Sequence, residues 1–128
     1  MRVLLDTHAF LWWLAGDPAL PANTRQLIGD PGNAVYVSAA SAFEITTKFR
    51  IGKLPGAAAI APDVEGSVRA EGFLPLAIGM THAQRAGGLP GWHRDPFDRI
   101  LIAQALEEGM ALISSEVLFD RYGVPRVW

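Results

Sequence analysis

Four carboxylates, Asp6, Glu44, Asp98 and Glu116, are the side chains best placed along this sequence to do chemistry. Each follows or flanks an apolar run: Asp6 closes Val3-Leu4-Leu5, and Glu44 lies beyond Val35-Tyr36-Val37. Asp98 ends the motif Asp95-Pro96-Phe97-Asp98, and Glu116 comes just after Leu112-Ile113-Ser114. Carboxylates that converge repel one another, and a divalent cation between them removes the repulsion. Oxygen donors without any cysteine or paired histidine favour a hard ion, Mg²⁺ with Mn²⁺ as a substitute, over Zn²⁺.

Each residue also has a plain structural reading. Asp6 suits the N-cap of a following helix. Glu44 stands four residues before Lys48, the favourable order for a helical ion pair. Asp98 near a helix start gains from the helix dipole with no function attached. Glu116, beside a turn, reads as a surface residue. Four separate structural roles do not require the four groups to meet, however, and the predicted elements bring them together.

Val3 to Leu5 reads as a strand feeding a helix through Phe10, Trp13 and Leu14, stopped at Gly16-Asp17-Pro18. A second helix is expected over Pro21 to Ile28, then a turn at Gly29 to Asn33, a strand at Val35 to Val37 and a helix at Ala39 to Arg50. Gly52 to Glu71 reads as loop and one helix. Phe73 to Ala77 reads as a strand, Thr81 to Ala86 as a short helix and Gly87 to His93 as a loop. Pro96 opens a helix that runs to Glu108 with Gly109 just past its end. Met110 to Ser114 is a buried strand, and Val124 to Val127 an edge strand. Strands alternating with helices give an α/β sandwich around a parallel sheet, one domain spanning residues 1–128.

In such a sheet, ligands bind outside the carboxyl ends of the strands, where the next helices begin. Asp6, Glu44 and Asp98 all start from that edge. From Asp98 to Gly109 the helix descends about 16 Å at 1.5 Å per residue. The following strand climbs back about 13–16 Å at 3.3 Å per residue. Glu116 therefore returns to the level that Asp98 left.

The rest of the sequence narrows the chemistry. A net charge of −2 argues against a generic polyanion binder. Zero cysteines exclude disulfides, thiolate zinc sites and a Cys nucleophile. No apolar run spans a bilayer, and Asp6 and His8 interrupt the N-terminal run, so no signal peptide is expected and the cytoplasm is the expected compartment. Serines 38, 41 and 114 lack a nucleophile-elbow context, and no phosphate-binding glycine motif is present. His8, His82 and His93 show no metal-ligand spacing and read as structural. Lys48, Arg50 and Lys53 form one basic run, while Arg85, His93, Arg94 and Arg99 bracket Asp98. Of these, Lys48, Arg50, Arg94 and Arg99 are the candidates for contacting RNA phosphates. Trp12, Trp13 and Trp92 read as core, base-stacking or partner-binding residues, with at least one of Trp12 and Trp13 expected in the core.

The blocks MRVLLDTHAFLWWL, VSAASAFEITTKFRIGKL, HRDPFDRILIAQAL and LISSEVLFDRYGV together resemble the PIN-domain family, specifically its VapC-type toxins. The resemblance implies a three-layer α/β/α fold and a Mg²⁺-dependent endoribonuclease restrained by a VapB-like antitoxin and commonly homodimeric. The family's first acid matches Asp6, its glutamate Glu44 and its third carboxylate Asp98. Its fourth acid, usually Asp, falls on Glu116, one methylene longer. Thr7 and Ser114 match small hydroxyl residues that line the family's site. The implied mechanism is metal-assisted hydrolysis, with Glu44 orienting or deprotonating the attacking water. Two other readings stand beside it. One is a catalytically silent PIN-like module that binds a protein partner. The other is a flavodoxin-like phosphoacceptor domain with Asp6 as acceptor, which lacks the neighbouring acidic pair and lysine.

Overall fold

The computed structural model describes residues 1–128. Five strands, β1 (Arg2–Leu5), β2 (Ala34–Ser38), β3 (Leu74–Leu76), β4 (Ala111–Ile113) and β5 (Arg126–Val127), form one sheet in the order β3-β2-β1-β4-β5. Every neighbouring pair is parallel. Six helices alternate with them: α1 (Thr7–Ala15), α2 (Ala22–Gly29), α3 (Ala39–Arg50), α4 (Val64–Ala70), α5 (Met80–Gly88) and α6 (Pro96–Glu108).

The sheet divides two cores, as the two-residue side-chain period of a strand requires. Val3, Leu5, Val35, Val37, Ala111 and Ile113 turn to one face, against Phe10, Ile28 and Ile45. Leu4 and Leu112 turn to the other, against Leu101, Ile102, Ala105 and Phe119. Helices therefore cover both faces, which is the three-layer α/β/α arrangement expected of buried parallel strands.

Local chemistry explains the sharpest boundaries. Ser38 caps α3 by accepting from Ala40 N, and Asp95 caps α6 by accepting from Phe97 N and Asp98 N. Gly109 ends α6 at φ 64°, a left-handed conformation that glycine adopts without a Cβ penalty.

Elsewhere the loop-and-one-helix segment and the strand within Phe73 to Ala77 come out in outline as expected, and one helix end differs. The segment 52–71 folds as two short 3₁₀ turns, Pro55–Ala57 and Ala61–Asp63, ahead of α4. Pro75 sits inside β3, which is tolerated because β3 is an edge strand. Helix α5 continues through Gly87 and Gly88, expected to be loop. The reason is tertiary. The Arg99 side chain donates to the carbonyls of Ala86, Gly87 and Leu89, satisfying acceptors that a helix C-terminus leaves open.

Candidate metal centre

Asp6 leaves the end of the central strand β1, flanked by the ends of β2 and β4, and its backbone N–H donates to Ile113 O at 3.0 Å. It is both cap and site residue. Oδ1 accepts from Ala9 N at 2.7 Å, the capping role, while the Ser114 hydroxyl favours the charged form of the same carboxylate, which lines a cavity at the strand ends. Thr7, next in the chain, lies in the same wall and donates to Ser41 Oγ at 2.9 Å.

The cavity holds about 320 Å³ and is walled mainly by polar groups. All four predicted carboxylates, Asp6, Glu44, Asp98 and Glu116, lie in its wall, joined by Asp95. Glu44 projects from α3 and is only 3% exposed, which rules out a solvated surface pair. It nevertheless bonds Lys48 Nζ through Oε2 at 2.5 Å, while Oε1 is buried with no hydrogen-bond partner. Glu116 is exposed at the cavity mouth, and its Oε1 accepts from Leu118 N at the start of a 3₁₀ turn, Val117–Tyr122.

The electrostatics follow from crowding like charges in a partly desolvated space. Burial pushes Asp98 up to about 7, and the charges of Asp95, Glu44, Asp6 and Glu116 push in the same direction. Burial also raises Asp6, with a contribution from Glu44, against the opposing Ser114 and Ala9 hydrogen bonds and His8. Lys48 is raised, first by its bond to Glu44, with Asp95 and Asp98 adding to the effect.

These residues fit a hard divalent cation by chemistry. The donors are oxygens, an orphaned carboxylate oxygen is buried among them, and their mutual repulsion is relieved by positive charge. They do not form a closed cage: no three His, Cys, Asp or Glu side chains are already gathered closely enough to hold one ion. The four carboxylates expected from the sequence thus share one wall without closing on a single point, with Lys48 supplying the positive charge nearest Glu44.

The basic candidates separate. Lys48 is in the wall, whereas Arg50 and Arg94 are exposed outside it. Arg99 is corrected from a phosphate contact to a structural clamp. Its guanidinium donates to the carbonyls of Ala86, Gly87, Leu89, Pro90 and His93, leaving no N–H free. Sequence reasoning did not count Asp95, His8 or His93 among the site residues, and it left Trp12 open between core, base-stacking and partner-binding roles. Asp95 was assigned to capping alone, yet a capping carboxylate has a second oxygen to present. Trp12 and His8 lie on the cavity side of α1, while Trp13 packs against Phe73. His93 Nε2 lies 3.0 Å from Asp98 Oδ2, though out of line for a hydrogen bond. His82 matches its structural reading, buried and bonded to Gly79 N and Glu108.

A family model for the PIN domain matches residues 3–125. Ribonuclease VapC16 of Mycobacterium tuberculosis is 39% identical over 69 residues, covering 52% of this chain and 49% of that protein. The chain therefore matches about half the length of that relative. Ribonuclease VapC22 of the same organism is 28% identical over 132 aligned positions, covering 98% of both. Among solved structures, VapBC2 from Rickettsia felis bound to a promoter DNA fragment superposes with a TM-score of 0.73 at 15% identity. That match covers 99% of this chain and 98% of the other. FitAB bound to an IR36 DNA fragment gives 0.67 at 16% identity, covering 98% and 93%. At such identities the likeness is one of fold.

Proposed function

The chain belongs to the PIN-domain family, and on that premise we propose that it is a Mg²⁺-dependent endoribonuclease acting as the toxin of a toxin–antitoxin pair. The observation that carries the reading is the convergence of five carboxylates on one cavity at the strand ends, with Asp98 raised to about 7 by burial and by the charges of its neighbours. A fold maintained for binding a protein alone gains nothing from that repulsion.

Asp6 and Asp98 would hold the cation, with Glu44 and Glu116 at the further positions. Bound there, a divalent cation supplies charge stabilisation for the phosphoryl oxygens and acidifies the attacking water. Ser114 fixes the Asp6 carboxylate from the β4 side, and the bond to Ala9 N fixes it from α1. Glu44 presents its unpartnered Oε1 as the acceptor that orients the water and takes its proton. Lys48 holds the other oxygen and offers a positive charge toward the phosphate. Arg50 and Arg94 are exposed outside the cavity and serve the flanking phosphates of the RNA.

The antitoxin's place in this reading is supported by an apolar groove that shares His8 and Trp12 with the acidic cavity. Leu11, Leu14, Leu54, Ala57 and Ile60 are among its other lining residues. A segment seated there reaches the cavity mouth. The chain carries no helix long and apolar enough to cross a membrane. We place its action in the cytoplasm, as a homodimer in the manner the family resemblance implies.

Purified protein incubated with total RNA, with Mg²⁺ or after exhaustive chelation, tests the proposal. Cleavage is expected only with the cation, Mn²⁺ substituting. Equal cleavage in both arms, or none in either, overturns it. Coexpression of the cognate antitoxin is expected to relieve a growth arrest caused by the free toxin.

A further inference from the structure

We propose that His93 is a positioning residue for Asp98, directing that carboxylate with its ring Nε2–H so that the other oxygen faces a bound divalent cation. The proposal rests on reading the cavity as a cation-dependent nuclease site.

His93 lies in the loop between α5 and α6, yet it is only 9% exposed and is fixed at every point. Its backbone N–H donates to Tyr122 Oη at 2.6 Å, and its carbonyl accepts from Arg99 Nη1 at 2.9 Å. The ring stacks on Phe119 with centroids 5.5 Å apart and planes 29° from parallel. Ring Nδ1 accepts from Asp95 N at 3.3 Å. A nitrogen that accepts from a backbone N–H carries no proton, so the ring proton lies on Nε2. That Nε2 is buried, 3.0 Å from Asp98 Oδ2 and without an aligned hydrogen-bond partner.

Packing alone does not account for this arrangement. His82 provides the contrast: it too is buried, but both ring nitrogens are satisfied, by Gly79 N and Glu108. At His93 one ring nitrogen sets the tautomer and the other lies 3.0 Å from a site carboxylate without an aligned bond to it. With the ring held on three sides, Asp98 is the partner able to turn into line. Asp98 accepts no other hydrogen bond, because the nearby helix-start N–H groups of Phe97 and of Asp98 itself are taken by Asp95. Among five like charges, a fixed donor 3.0 Å away would set which way this carboxylate points once it turns into line. Arg99, adjacent to Asp98 on α6, clamps the His93 loop to the helix start, so donor and acceptor belong to one rigid unit.

Donors that orient metal-binding carboxylates or imidazoles cost about 10–100-fold in metal affinity when removed. Calorimetric Mn²⁺ titration of the wild type, His93→Phe and His93→Gln tests the role. Phe keeps the stack on Phe119 and lacks the donor, so its affinity is expected to fall about 10–100-fold. Gln carries an amide N–H, and its affinity is expected to recover most of the loss. Equal affinity in wild type and the Phe variant, or a folded Gln variant as weak as Phe, overturns the proposal. No Mn²⁺ binding by the wild type overturns it together with the nuclease reading, whereas normal wild-type binding with an unaffected Phe variant overturns it alone. A second measurement is independent of how the variants fold. In metal-free, ¹⁵N-labelled wild type, imidazole spectra should show His93 protonated at Nε2 and bare at Nδ1, with the Nε2 signal moving as Mn²⁺-free Mg²⁺ is added. A proton on Nδ1, or an Nε2 signal indifferent to Mg²⁺, overturns it.

Discussion

At its C-terminal end α6 carries Glu107 and Glu108, and each meets a cationic or hydrogen-bonding partner from another element. Glu107 pairs with Arg85 at 2.9 Å, and Glu108 meets His82 at 2.8 Å and Arg2 at 3.9 Å. At the N-terminal end of the same helix, Asp95 and Asp98 face Asp6, Glu44 and Glu116 across a cavity where Lys48 is the one basic side chain in the wall besides His8. Within a single helix, acids are compensated at one end and crowded at the other. Stability alone explains the first end. The second end lowers the stability of the metal-free protein, and relief by a bound cation is the physical account that makes sense of it.

The comparison breaks most decisively at Asp98. Asp98→Asn is expected to reduce Mg²⁺-dependent RNA cleavage by at least roughly 10³-fold, since charge stabilisation by a held cation is worth several kcal/mol. Calorimetry should show weakened Mg²⁺ binding, and thermal unfolding in chelator should show an equal or higher Tm. Asp95→Asn keeps an oxygen for capping and should stay within about one order of magnitude of normal cleavage. If the Asp95 variant lost Mg²⁺ affinity and the Asp98 variant kept it, the division of labour within this motif would be reversed.

Next in size is Glu44→Gln. The side chain is buried and one oxygen has no partner. A loss of at least about 10²-fold in turnover is expected, as for removal of a general base. Near-normal turnover would reduce Glu44 to an anchor for Lys48.

The third effect is a pH dependence confined to the crowded end. Asp98 is raised to about 7 in the folded metal-free protein, so the fold holds its proton more tightly than the unfolded chain does. Stability in chelating buffer is therefore fully present below the unfolded value near 3.8 and is lost as pH rises through about 7. The drop is expected to be on the order of 2–4 kcal/mol by urea denaturation at pH 4.5 and 8. Asp98→Asn should flatten it, and saturating Mg²⁺ should remove it. A stability that rises over this window in chelator would contradict the crowding argument.

The smallest effect belongs to the compensated end. Glu107→Gln breaks a partly exposed pair with Arg85. Such pairs are worth about 0–1 kcal/mol, so stability should shift by less than that and cleavage should be unchanged. A large loss of cleavage would show that the two ends of α6 are coupled.

Legibility in the sequence tracked the locality of the cause. The bounds of α3 and α6 were readable because apolar period, cap residue, Pro96 and Gly109 all act within a turn of the boundary. The last turn of α5 was not, because Gly87 and Gly88 stay helical through carbonyl contacts from Arg99, more than ten residues away. The same clamp removed Arg99 from the basic candidates. Likewise, the pairing of Glu44 with Lys48 was readable at a spacing of four, but the burial of Glu44 was not.

The sequence by itself determined the parallel α/β architecture and the edge at which its acids gather, because strand and helix rises are fixed and the chain must return each strand end to one side of the sheet. It also determined the oxygen-only donor chemistry, since no cysteine is present. The tertiary structure decided which groups meet: Ser114 beside Asp6, Lys48 bonded to Glu44 among the carboxylates, and His93 held 3.0 Å from Asp98 by Phe119, Tyr122 and Asp95. Periodicity specifies the face of an element to within a turn, about 5 Å along a helix. A hydrogen bond is made or missed within a few tenths of an ångström, and that precision comes only from packing between segments distant in the chain.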